Sequence, residues 1–210
     1  MNRPAFARHA LGDIAEITSG LSLAGAVLHQ PTGKYQIIQP RHIDGAGRPF
    51  VFDSAIHSTR MDLPDRADGY LVRSGDVLFM SRGEKNRAAV IRSCPPATIA
   101  PAAFFVLRAR VDLVLPDFLA WYLNQVPAQA AIAQIRTSAG TPMVQRANFS
   151  ALCIALPSLT KQREIIRLGE LMLREQQLTG QVATIVAERN RLIGQTVSNS
   201  LSSGKIHDHV

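Results

Sequence analysis

Hydrophobic and polar positions alternate with a short period through most of this chain, then shift to a helical period that runs almost to its end. Leu11-Gly12-Asp13-Ile14-Ala15-Glu16-Ile17 alternates and meets Ser19-Gly20, which predicts a strand and its turn. Lys34-Tyr35-Gln36-Ile37-Ile38-Gln39 predicts another strand, stopped by Pro40. Asp44-Gly45 and Gly47-Arg48-Pro49 mark a turn ahead of Phe50-Val51-Phe52. Val77-Leu78-Phe79-Met80 breaks into the polar loop Ser81-Arg82-Gly83-Glu84-Lys85-Asn86-Arg87, and Ala88-Ala89-Val90-Ile91 returns from it, which predicts a hairpin with a cationic tip. Ala102–Arg108 reads as one more strand.

Helical spacing then takes over. Phe118, Leu119, Tyr122 and Leu123 share a face behind Pro116, a residue tolerated in a first helical turn. Pro127 separates this helix from a second one over Ala128–Ile135. After a short apolar strand, Leu152–Leu156, the Pro157–Thr160 junction opens a last helix, with Thr160 as its expected cap and Glu164 in its first turn. Leu171, Leu178, Ile185 and Leu192 recur on that helix every seven residues. Ile165, Met172, Val186 and Ile193 follow a parallel line, with Thr179 interrupting it and Leu168 and Val182 beside it. The opposite face carries Arg163, Arg167, Arg174, Gln177, Gln181, Glu188 and Arg191. From Thr160 to Leu201 such a helix is about 60 Å long, at roughly 1.5 Å per residue. An isolated helix with glycines at 169, 180 and 194 gains little from intrinsic propensity, so the stripe is expected to pack against its own domain or another chain, and the helix length, which outreaches a small domain, favours another chain. The expected fold class is α+β: a mixed, β-rich domain with short helices over residues 1–157, then a long C-terminal helix over 158–201 forming an intermolecular coiled coil, and a flexible tail over 202–210.

Composition narrows the partners. The 210 residues carry a net charge of +7, and 19 of the 23 basic residues are arginine. Arginine is the side chain suited to bidentate recognition of phosphate and guanine, so the balance points to an anionic partner. No apolar run approaches the ~18 residues that span a bilayer, and the first residues lack the apolar core of a secretion signal, so a cytoplasmic location without membrane contact is expected. Cys94 and Cys153 stand alone, without metal-ligand spacing, and are expected to be buried or half-buried thiols; His207 and His209 read as tail residues. The chain has no Gly-x-Ser-x-Gly, His-Glu-x-x-His or phosphate-binding glycine loop. Cys94-Pro95-Pro96-Ala97 lacks the flanking polar and aromatic residues of an adenine methyltransferase motif. The expectation is a non-catalytic chain with no cofactor and no metal.

Three ordered segments carry a family resemblance: Leu11–Gly20, then Ser74-Gly75-Asp76-Val77-Leu78-Phe79-Met80-Ser81-Arg82-Gly83, then Gly140-Thr141 with Val144 and the Leu156–Ile165 hinge. In this order they resemble the specificity subunits of type I restriction–modification systems. The hinge is the most specific segment and the hairpin the next. Subunits of that family commonly hold two recognition domains and two helices. With one of each, this chain resembles a half-size form that would rebuild the arrangement by pairing two helices antiparallel.

The resemblance implies a target-recognition domain that reads double-stranded DNA and lends specificity to an adenine methyltransferase subunit, with a restriction subunit as a further candidate partner. It implies DNA-binding roles for Ser81, Arg82, Gly83, Lys85, Asn86 and Arg87, and for Arg136, Ser138, Gly140, Thr141, Met143, Gln145 and Arg146 in a second loop. Arg41, in Gln39-Pro40-Arg41-His42, is a third candidate. Dimerisation falls to Ile165, Leu168, Leu171, Met172, Leu178, Val182, Ile185, Val186, Leu192 and Ile193, through a homodimer or a heterodimer. Two half-sites would then lie at most about 18 base pairs apart. Two other readings stay open: a regulatory half-subunit that competes for the methyltransferase, and a stand-alone DNA-binding repressor.

Overall fold

Residues that alternate in sequence sort onto the two faces of a central sheet. The computed structural model describes residues 6–43, 48–137 and 140–202, so the expected Asp44–Gly47 turn, Ser138 and the tail histidines lie outside the described residues. In chain order the elements are β1 (Ala7–Ala10), α1 (Leu11–Ile14), β2 (Ala15–Ser19), β3 (Tyr35–Ile37), β4 (Phe50–Val51), β5 (Arg60–Met61), β6 (Val77–Met80), β7 (Ala88–Ser93), β8 (Thr98–Ile99), β9 (Phe104–Ala109), α2 (Pro116–Leu123), α3 (Val126–Gln134), α4 (Arg146–Ser150), β10 (Cys153–Leu156) and α5 (Leu159–Ser202).

The central sheet runs β2-β9-β6-β7-β4, antiparallel except for the parallel β4–β7 edge. In β6, Val77 and Phe79 enter one core while Leu78 enters the other; in β9, Phe105 and Leu107 oppose Phe104 and Val106 in the same way. The first core is closed by α1, α2 and α4, with Phe149 of α4 stacked on Phe79 at 4.1 Å between ring centroids. A second sheet, β5-β3-β8, has its own core around Tyr35, Ile37 and Ile99. The remaining pair joins β1 to β10, so the first and last strands of this region are hydrogen-bonded neighbours.

Several expected elements shift. Leu11–Ile14 is a helical turn and not the start of a strand, because Leu11 and Ile14 are both fully buried and only i, i+3 spacing turns both inward. The strand begins at Ala15 and ends where Gly20 passes so close to Ala100 and Pro101 that any Cβ would collide with their carbonyl oxygens. The last helix starts at Leu159, with the Lys161 N–H 3.4 Å from the Ser158 hydroxyl, so Ser158 stands where Thr160 was expected to cap. Cys94 is half-buried as expected, but Cys153 is exposed, because alternation along β10 turns Ile154 inward.

The chain divides into two units, Met1–Arg167 and Leu168–Val210. The first turns of α5 belong to the first unit, where Gln162 is fully buried. Its carbonyl accepts the Leu115 N–H at 2.8 Å, and its amide donates to the Leu113 and Pro157 carbonyls at 2.9 Å each. Ile165 and Ile166 pack half-buried against the first core. The second unit is helical through Ser202, and no helix among the described residues is long and apolar enough to cross a membrane.

Candidate nucleic-acid interface

The loop after β6 does not stand alone. Arg82 forms an antiparallel bridge with Met143, the Gly83 N–H donates to the Pro142 carbonyl at 2.8 Å, and the Val144 N–H donates to the Ser81 carbonyl at 2.8 Å. Gly83 holds this path with φ of +89°, which a side chain would strain. The segment from Pro142 to Val144 therefore behaves as an extra strand laid along the hairpin loop. It turns back on itself as well: Arg136 bridges Val144, and Thr137 exchanges hydrogen bonds with Met143. Main-chain bonds thus join the two polar loops that the sequence singles out.

Between this joined ribbon and the exposed face of β2 lies a cleft of about 800 Å³. Arg82, Met143, Gln145 and Arg146 line it, together with Glu16, Thr18, Tyr70 and Arg108. Arg82 is exposed, and its guanidinium makes no hydrogen bond or ion pair among the described residues. Arg146, at the start of α4, gives one N–H to the Ile17 carbonyl at 3.2 Å, which fixes the side chain and leaves its other donors available. Gln145 is exposed, with its amide unengaged. Arg108 differs. Its Nε donates to Asp76 at 3.2 Å and one terminal nitrogen to the Leu71 carbonyl at 2.9 Å, so it neutralises a carboxylate whose side chain is only 3% exposed.

Two of the candidate contacts have side chains turned inward. Ser81 is buried, and its hydroxyl donates to the Ala103 carbonyl at 3.1 Å. Asn86 is buried too: its amide donates to the Met80 carbonyl at 2.8 Å and its own main-chain carbonyl accepts the Gln129 amide at 2.6 Å, so it fastens the hairpin tip. Arg136 donates to the Glu84 carbonyl at 3.0 Å and braces the same loop. Lys85 is exposed and Arg87 half-buried; Gly140, at φ +71°, and Thr141 are exposed, and none of the four lines the cleft. Arg41 is exposed in a 3-10 turn outside the cleft, next to His42.

Glu16, Thr18, Tyr70 and Arg108 are cleft residues that the loop-centred reading missed. The signal was present for two of them: the alternation that buries Ala15 and Ile17 turns Glu16 and Thr18 outward. Tyr70 and Arg108 come from distant segments and carry no such mark.

His42 shapes the neighbouring patch. Its Nδ1 accepts the Gln39 N–H at 3.1 Å, while its Nε2 is buried without a hydrogen-bond partner among the described residues. Burial, then His57 and Arg41 nearby, hold its pKa down at about 4. His57, 4.7 Å away between ring centroids, accepts the Asp53 N–H at 2.8 Å, and burial lowers its pKa as well. Among the described residues no group of three or more His, Cys, Asp or Glu is placed to hold a metal ion.

On the second unit, Leu168, Leu171, Met172, Leu178, Val182, Ile185, Val186, Leu192 and Ile193 are all exposed, as are Val197 and Leu201 further along. Ile165 leaves this set, because it is seated against the core of the first unit.

A mixed-sheet domain with an arginine-lined cleft, continued by a long amphipathic helix, is an architecture for recognition. Residues 6–168 match the type I restriction modification DNA specificity domain, and the chain belongs to that family. The fold is shared with solved structures at low identity. One, described as the structural basis of complex assembly and conformational transition of the type I R-M system, is 16% identical with a TM-score of 0.68, over 95% of this chain and 46% of that one. The HsdS subunit from Thermoanaerobacter tengcongensis is 19% identical with a TM-score of 0.62, over 92% and 48%. The type I restriction–modification S subunit from M. genitalium is 14% identical with a TM-score of 0.55, over 98% and 48%. The chain thus spans about half the length of each of these structures. No curated protein sequence matches it.

Proposed function

We propose that this chain is a non-catalytic, DNA-reading component of a type I restriction–modification assembly, which holds duplex DNA at the cleft and supplies sequence specificity to an adenine methyltransferase subunit. One observation carries the reading: two loops far apart in sequence are joined by main-chain bonds so that Arg82, Gln145 and Arg146 line one cleft, Arg82 and Gln145 with side chains unengaged and Arg146 with donors left over. Guanidinium groups on phosphate would set position, and side chains at base edges would set preference. Lys85 and Arg87 extend the basic surface along the hairpin, and the exposed Arg41 is a further phosphate contact. Ser81, Asn86 and Arg136 serve by holding the loops.

The exposed stripe of α5 is covered, in this reading, by a second helix of the same kind. With 44 residues the helix is about 66 Å long, which bounds the separation of two half-sites at about 19 base pairs. A second copy of this chain gives twofold symmetry and a palindromic, gapped target; a different partner gives an asymmetric one. Membership of the type I specificity-domain family supports the methyltransferase, and beyond it a restriction subunit, as partners.

The test is duplex binding by fluorescence anisotropy at several salt concentrations. The double substitution R82A/R146A should weaken binding by about tenfold or more and flatten the salt dependence by about two phosphate contacts. An unchanged affinity with an unchanged melting temperature overturns the assignment of the cleft.

A further inference from the structure

One cleft residue has the wrong sign for a phosphate contact. Strand β2 turns Glu16 and Thr18 toward the cleft and Ile17 into the core. The register sets Glu16 directly opposite Arg108 on β9, a placement in which the two charges would ordinarily neutralise each other. Arg108 is committed elsewhere, to the buried Asp76 and the Leu71 carbonyl. Glu16 is consequently left exposed in the cleft, with no hydrogen bond or ion pair among the described residues.

A carboxylate offers acceptors only, and against a phosphate it is repelled. The groups on a duplex that suit it are the amino groups at base edges, and in the major groove these are cytosine N4 and adenine N6. We propose that Glu16 selects an exocyclic amino group, of cytosine or adenine, at one position of the recognised duplex. This rests on the cleft being the DNA site. The arrangement divides the work: Arg82 and Arg146 take phosphate or guanine, while the uncompensated carboxylate keeps phosphate out of its own part of the cleft and accepts from an amino edge. Tyr70 and Thr18 beside it are neutral and add no competing charge.

The experiment is selection from a randomised duplex library with the wild-type chain, E16A, E16Q and R82A/R146A, with thermal unfolding of each variant as the check on folding. The wild type should enrich cytosine or adenine at one position. E16A should lose that preference by about tenfold while other positions keep theirs. The enriched base separates the two sources. Replacing it with an analogue that lacks the amino group should cost the wild type the same factor and cost E16A nothing more. E16Q, which retains an acceptor of the same shape, should keep part of the preference.

If E16A binds every duplex more tightly by one factor with all preferences intact, Glu16 only repels phosphate and the proposal fails. If R82A/R146A loses binding while E16A and E16Q match the wild type, the cleft stands and Glu16 has no reading role. A wild-type chain that selects no base, or an R82A/R146A variant that binds normally, removes the cleft assignment and this inference with it.

Discussion

Arg82 and Arg108 line the same cleft, yet only Arg82 carries uncompensated charge into it. Arg108 is matched by Asp76, whose burial requires a cation, so R108A would act first through the stranded carboxylate and only then through any ligand. The same residue-level contrast explains which loop residues face outward: Arg82 has open space around it, while Asn86, four positions on, is enclosed by Met80 and Gln129. Composition identified the loop, but nothing in the string Ser81–Arg87 says which of its polar side chains the interior will claim. His42 and His57 supply a pH prediction at this scale. Both pKa values are lowered in the fold, so the unfolded chain binds more protons below its ordinary histidine pKa near 6.5. Stability is therefore full above about pH 6.5 and falls as pH drops toward about 4, the value for His42. Protonating His42 places a hydrogen on Nδ1, where the Gln39 N–H now donates. Urea unfolding across that range should show the decline, and H42Q should flatten it; equal slopes for both proteins would contradict this account.

At the level of elements, the legible parts are those with a clear apolar run or repeat. Strands β6, β7 and β9 are short apolar runs buried on both faces, and helix α2 and the long helix follow from the spacing of their apolar positions. The turn at Leu11–Ile14 was not legible, since four residues fit a strand's alternation about as well as one helical turn. Helix α4 and the ribbon at Pro142–Val144 were hidden for a different reason: their partners lie far away in sequence. Gln162 is the sharpest case, a polar residue of α5 that is fully buried with its partners on distant segments. Replacing it with alanine leaves the buried Leu115 N–H and two carbonyls without partners, which should destabilise the first unit by about 2–3 kcal/mol. Urea unfolding would register this as a lower midpoint with an unchanged slope.

For the whole molecule, the apolar stripe along the second unit, from Leu168 to Leu201, stands exposed among the described residues. Introducing aspartate at Leu178 and Ile185 together should leave the melting of the first unit in place, since neither residue touches its core. In sedimentation velocity at micromolar concentration, the wild type should run as a dimer and the double variant as a monomer. A wild type that is monomeric at all concentrations, alone and with its proposed partners, would overturn the pairing. The heptad spacing carries the expectation of association, whereas the identity of the opposing helix is not a property of one strip of side chains.

The ribbon that joins Ser81–Gly83 to Pro142–Val144 has a consequence for how such a protein changes over generations. Its bonds run from main chain to main chain, so they are indifferent to which side chains stand at positions 82, 143 and 145. Substitutions there alter what the cleft presents while the backbone that presents it keeps its shape. Under the proposed DNA-reading role, a lineage would acquire a new target through a few codon changes without passing through an unfolded intermediate. Gly83, held at its positive φ, and the buried Ser81 are the positions where that freedom ends.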